Sequence, residues 1–155
     1  MYPTLLALHS LVRWLVLASL LLAIIYAYKG WFTNKQYSRS DNIIRNIATS
    51  FAHIQITIGL FLYYLSPLTT YFLHYFKDAL HQREIRFFGM EHSFIMFLSL
   101  VLITIGSSKV KRLTDDKQKF KTMAIWFTIG LVLILSSIPW AFSPLVSRPY
   151  FRAFF

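Results

Sequence analysis

The 155-residue chain contains no cysteine, which excludes disulfides, thiolate zinc sites, iron–sulfur clusters and covalent C-x-x-C-H haem attachment. Charge is scarce too. Only 14% of residues are Asp, Glu, Lys or Arg, where a water-soluble domain carries about a quarter. Acidic residues are the scarcer sign, six against 16 basic, for a formal charge of +10. That excess does not point to nucleic acid, because the Lys and Arg residues sit in short loops between apolar runs, where topology accounts for them. Glycine and proline number five each and build no Gly-rich phosphate loop, and neither G-x-S-x-G nor H-E-x-x-H occurs. Soluble enzyme chemistry therefore has no foothold.

What fills the chain instead is apolar and aromatic. Hydrophobic residues make up 56%, the mean hydropathy is +0.52, and there are 15 Phe, 9 Tyr and 4 Trp, which suits a lipid-facing surface with interfacial belts. Four segments approach or exceed the roughly 20 residues that a bilayer-crossing helix needs. They cover about residues 4–28, 47–65 (with a polar helical lead-in from Asp41), 87–105 and 122–140. In lipid only a helix satisfies its own backbone in such a segment, so the expected fold is an all-α, four-helix transmembrane bundle forming a single domain.

Orientation follows from the basic residues. Lys29, Lys35, Arg39 and Arg45 flank the first loop, and Lys109, Lys111, Arg112, Lys117, Lys119 and Lys121 the third. The opposite side holds Lys77, Arg83, Arg86, Arg148 and Arg152, ten basic residues against five. The positive-inside rule then places both termini outside, in what would be the inner (cytoplasmic) membrane of a bacterium. The first segment has no basic n-region or small-residue cleavage site and reads as a retained helix. In the second loop, Leu68, Phe72, Tyr75, Phe76 and Ala79 share a helical face, which predicts a short helix lying in the outer interface. Residues 141–155 read as an aromatic interfacial tail, broken by Pro144 and Pro149, that anchors at the outer surface or docks another subunit.

Ionisable and polar side chains inside spans are costly and are by default functional candidates. Here they are His9, Arg13, His53, Gln55, Glu91 and His92. His9-Ser10 and His92-Ser93 open the first and third helices as a faint repeat. At 1.5 Å per residue the two histidines lie roughly 30 Å and 26 Å above the inner boundary, at nearly one level. Two imidazoles on separate helices at equal depth are what a bis-histidine haem requires. Gly89, one turn before His92, would let a flat ring approach, and Arg13, one turn after His9, could pair with a propionate or with Glu91. The competing reading has each histidine bonded to a hydroxyl or carbonyl in a packed bundle. His53 lies deeper, roughly 12 Å above the inner boundary, and has three open roles: alternate ligand opposite His92, proton exchange with a quinone, or an interhelical hydrogen bond. Met90 and Met96 fit core packing better than ligation. Gln55 shares a face with Ala48, Ala52 and Gly59 and reads as packing. His74 and His81 fall in the outer interface.

The stretches HSLVRW (9–14), AHIQITIGLFLYYLSP (52–67), RFFGMEHS (86–93), ITIGSSK (103–109) and SRPYFR (147–152) resemble a family of small four-helix membrane proteins of Bacteroidetes, commonly labelled b-type cytochromes. The resemblance covers nearly the whole chain. It implies haem b as cofactor, His9, His53 and His92 as candidate ligands, and electron transfer within a respiratory assembly, with quinone as a candidate exchange partner. The fourth span carries no histidine, a departure from the four-histidine pattern of larger diheme cytochromes. The rival expectation is a cofactor-free accessory subunit of a larger membrane complex. Expected partners are the bilayer and either other respiratory subunits or further copies of this chain.

Overall fold

The computed structural model describes residues 2–143, 146–149 and 151. Its described residues are helical without strands, and four helices are long and apolar enough to cross a membrane. The chain is a multi-pass, four-helix membrane bundle. Helix α1 spans Tyr2–Phe32 and α2 Arg39–Leu65. The third crossing is composite: α5 (Arg83–Arg86), a π-helical turn (Phe87–Glu91) and α6 (His92–Arg112) run on as one span. Helix α7, Asp116–Ser137, is the fourth. Around the bundle, α1 packs on α2 and α7, and α6 packs on α7 and, less closely, on α2, so α1 and α6 face each other diagonally.

Local chemistry sets the helix ends. Helix α1 stops where Asn34 takes a positive φ of 50° and Lys35 N–H bonds back to the Gly30 carbonyl at 3.1 Å, a left-handed cap that asparagine tolerates. Helix α2 starts earlier than its apolar run because Ser38 and Asp41 form a reciprocal capping box. Asp115 caps α7 by accepting from Gln118 N–H at 2.7 Å. Between these ends, small residues let the backbones close in: Ala23 and Ala27 on α1, Ala48 and Ala52 on α2, Ser99 and Ser107 on α6, Ala124 on α7, all buried. The outward faces carry exposed Leu, Ile and Phe, as a lipid-facing surface does.

The second loop departs from the single interfacial helix expected. It forms α3 (Pro67–His74) and α4 (Phe76–Ala79), separated at Tyr75, whose φ of −124° and ψ of 50° leave the helical region. Proline at the first position of α3 starts the helix. The break serves packing. Phe72 and Ala79 are buried, while Tyr75 and Phe76 are exposed, so the shared face splits into an inward and an outward part.

Candidate functional site

At the end of the bundle away from the basic loops lies a cavity of about 410 Å³, within the size range of small-molecule sites. It is bounded by α1, α2, α6 and the end of α7, and Tyr2, His9, Arg13, Gln55, Tyr63 and His92 contribute polar groups to a mainly apolar lining. His9 and His92, which the sequence placed at nearly one level, thus meet around one space together with Arg13, one turn further along α1.

His92 is held by three features. The π-turn carries its N–H to the Phe87 carbonyl, one residue further back than an α-helix would. Its ring packs against both Phe87 and Phe88, with centroids 5.7 Å and 5.9 Å away. Its Nδ1 lies 2.8 Å from the Ser137 carbonyl oxygen. A carbonyl only accepts, so Nδ1 carries the proton and Nε2 keeps its lone pair. Ser137 is the last residue of α7, where carbonyls lack intrahelical partners, so the same bond caps that helix. An imidazole whose Nδ1–H is fixed on a backbone carbonyl is in the arrangement that metal-ligating histidines use.

His9 is oriented differently. Its backbone carbonyl accepts from Gln55 Nε2 at 3.0 Å, which ties α1 to α2. Its Nδ1 is buried and has no hydrogen bond among the described residues. The ring lies against Gly59, where an added Cβ would sit 3.4 Å from Cε1, at ordinary van der Waals contact. Arg13 sits one turn further along, with its guanidinium 5.3 Å from the Trp14 ring centre.

Several expected placements change. His53 is exposed on the outside of the bundle and does not line the cavity. Its Nδ1 donates to the Thr49 carbonyl one turn back on α2 at 2.7 Å, and Thr104 Oγ1 on α6 lies 3.3 Å from Nε2, so both ring nitrogens are engaged and the second contact joins α2 to α6. Of its three open roles, this is the interhelical hydrogen bond. Gly89 does not border the cavity either: the ring of Phe72 occupies the space beside it, and its carbonyl accepts from Tyr63 Oη at 2.9 Å. Glu91 pairs with Arg86 at 2.7 Å rather than with Arg13. Met96 lines the cavity, whereas Met90 is exposed. His74 and His81 are exposed, as expected.

Two features were missed from the sequence. The first is the tail. Arg148 and Pro149 reach the cavity, and Arg148 pairs with Glu84 and lies 5.1 Å over the Phe88 ring. Phe151 stacks on Trp14 with centroids 5.7 Å apart, and Trp140 meets Trp14 edge-on at 6.3 Å. The tail folds back over the bundle at these points, while Pro144, Tyr150, Arg152, Phe154 and Phe155 lie outside the described residues. The second is Arg45, which has 1% of its surface exposed. It donates to the Ser107 carbonyl at 2.9 Å, to Ser107 Oγ, and to Asn42 and Asn46 Oδ1 at 2.8 Å each. All four acceptors are neutral. Burial holds the nearby Tyr37 phenol above its ordinary pKa against the pull of Arg45, so it too is uncharged at neutral pH.

Comparison with family models, curated proteins and solved structures finds no match for this chain. Fold and site together define a class: a four-helix membrane bundle with a histidine-lined apolar cavity near one end.

Proposed function

We propose that the chain is a membrane-embedded b-type cytochrome that holds one haem between His9 and His92 in the bacterial cytoplasmic membrane. The observation that carries this reading is the pair of imidazoles from diagonal helices lining one cavity, with His92 presented as the neutral Nδ1–H tautomer. The donor set suits the group, since bis-imidazole ligation needs a lone pair from each of two helices and an apolar slot between them. Haem would supply a one-electron couple at this position. Arg13 lines the cavity and would offset the charge of a haem propionate there. The apolar lining excludes water, and Tyr63 and Gln55 supply the polar groups on the α2 side. Exposed Leu60 and Phe97 line the same cavity on α2 and α6, a lipid-facing rim that suits exchange of electrons with a lipid-soluble quinone in a respiratory assembly.

The test is a dithionite-reduced minus air-oxidised spectrum of the detergent-purified protein, with haem quantified per chain. Six-coordinate haem b bands at about one haem per chain are expected. His9→Ala and His92→Ala should each lose the low-spin spectrum, and His53→Ala should keep it. A folded, colourless wild type would transfer the assignment to the cofactor-free accessory subunit. Full haem content and an unchanged spectrum in His92→Ala would overturn the site.

A further inference from the structure

Among the described residues, Gln55 and His9 each carry a buried polar atom beside the cavity with no hydrogen bond, and the two are of complementary kind. Gln55 Nε2 donates to the His9 carbonyl, which fixes the amide's direction and leaves Oε1 as a buried acceptor without a hydrogen bond among the described residues. His9 Nδ1 is buried and unbonded among them as well. The two share a neighbourhood. Gln55 precedes Gly59 by one turn on the same face of α2, and a Cβ at Gly59 would lie 3.9 Å from His9 Nδ1. Buried polar groups nearly always find partners, so two left over in one place need a reason.

We propose that Gln55 is the positioning residue of His9, its Oε1 accepting the Nδ1–H when Nε2 serves the cavity. The inference rests on the haem reading and deepens it. A neutral imidazole has one proton, and when Nε2 is a ligand that proton sits on Nδ1 and needs an acceptor. His92 has the Ser137 carbonyl for this purpose. Gln55 gives His9 the equivalent, so each imidazole is oriented by a carbonyl oxygen from a neighbouring helix. An acceptor on Nδ1–H raises ligand basicity and favours the ferric state, which lowers the reduction potential.

Gln55→Leu and Gln55→Glu separate this role from packing, because both lose the Nε2 donor to the His9 carbonyl and only Gln55→Glu keeps an acceptor. In the haem-loaded full chain, Gln55→Leu should raise the midpoint potential and weaken haem affinity roughly tenfold to hundredfold. Gln55→Glu should restore affinity and move the potential below wild type. Each tenfold change in the ferric-over-ferrous affinity ratio moves a one-electron potential by about 59 mV. A second readout needs no haem: ¹⁵N spectra of histidine-labelled apoprotein should show His9 as the Nδ1–H tautomer in wild type and Gln55→Glu, and as Nε2–H in Gln55→Leu. Haem binding that requires His9, with potentials and tautomer unchanged in both variants, would overturn the Gln55 role and leave the site standing. A colourless wild type would overturn the haem reading before any Gln55 variant is measured, and the inference with it.

Discussion

Arg45 offers a test of the bundle that does not depend on any cofactor. Its guanidinium joins α2 to Ser107 on α6, across a loosely packed helix pair. Asn42 and Asn46 are exposed, so their oxygens return to water at little cost if Arg45 is removed. The bonds that matter are the two to Ser107, worth about 1.5–3 kcal/mol each for a charged donor. Against them stands the desolvation of a guanidinium with only neutral acceptors, about several kcal/mol. These nearly cancel, so Arg45→Met, which keeps the apolar stem, should change stability by about 1 kcal/mol or less. Arg45→Ala also truncates a buried stem and should cost about 3 kcal/mol, within the usual range for large-to-small changes. Arg45→Lys keeps the charge but loses the planar fork that reaches Ser107 and both asparagines together, so it should be worse than Arg45→Met. The assay is unfolding in detergent followed by tryptophan fluorescence. A lysine variant milder than the methionine one would refute the argument, showing that charge rather than fork geometry matters at this position.

Two further predictions concern the end of the bundle around the cavity. Gly89→Ala should displace the Phe72 ring, which already fills the space a Cβ needs, and destabilise the fold by about 1–3 kcal/mol in the same unfolding assay. Arg148→Ala removes the Glu84 pair and the contact with Phe88, both partly exposed, so stability should fall by less than about 1 kcal/mol. Under the haem proposal, access to the cavity should nevertheless rise, read as faster reduction of the haem-loaded protein by a water-soluble reductant in stopped flow. An unchanged rate would show that the tail does not restrict access.

The four crossings were legible because hydropathy and backbone satisfaction leave only helices of that length. The shared level of His9 and His92 was legible from counting residues alone. Depth, however, says nothing of rotation about the helix axis, and that is why His53 stayed open. Asp41, Arg45, Ala48, Ala52, Gln55 and Gly59 recur at helical spacing and turn inward, while His53 is one residue, or 100°, beyond Ala52. The same stripe would have marked Arg45 as inward-facing, had its charge not already been absorbed by the topology argument. Gly89 was misread for another reason. Its partner Phe72 lies in the loop between spans, and a contact between a loop and a helix leaves no periodic trace in either. The tail was legible as aromatic but not as folded back, because stacking of Phe151 on Trp14 joins residues far apart in sequence.

The π-turn was invisible for the same physical reason that makes it informative: one extra residue in a helix changes neither composition nor hydropathy. It reconciles two fixed contacts. Below it, α6 is locked against α7 through buried Ile103, Met123 and Phe127. Within its first residues Phe87 is buried and Gly89 receives Phe72, and above it the adjoining α5 packs on α3. Each residue advances an α-helix by about 100°, so deleting one residue from the turn would rotate the two parts against each other by that angle. Met90 is 41% exposed and makes the least disruptive deletion. Without it, the ladder can close as a plain α-helix only if His92 leaves the Ser137 carbonyl or Phe72 leaves Gly89. Loss of the Nδ1–H tautomer of His92 in ¹⁵N spectra would identify the first outcome, and a stability loss of about 1–3 kcal/mol with the tautomer retained the second. A deletion variant with both wild-type stability and an unchanged His92 would refute the view that the turn sets the direction of this imidazole.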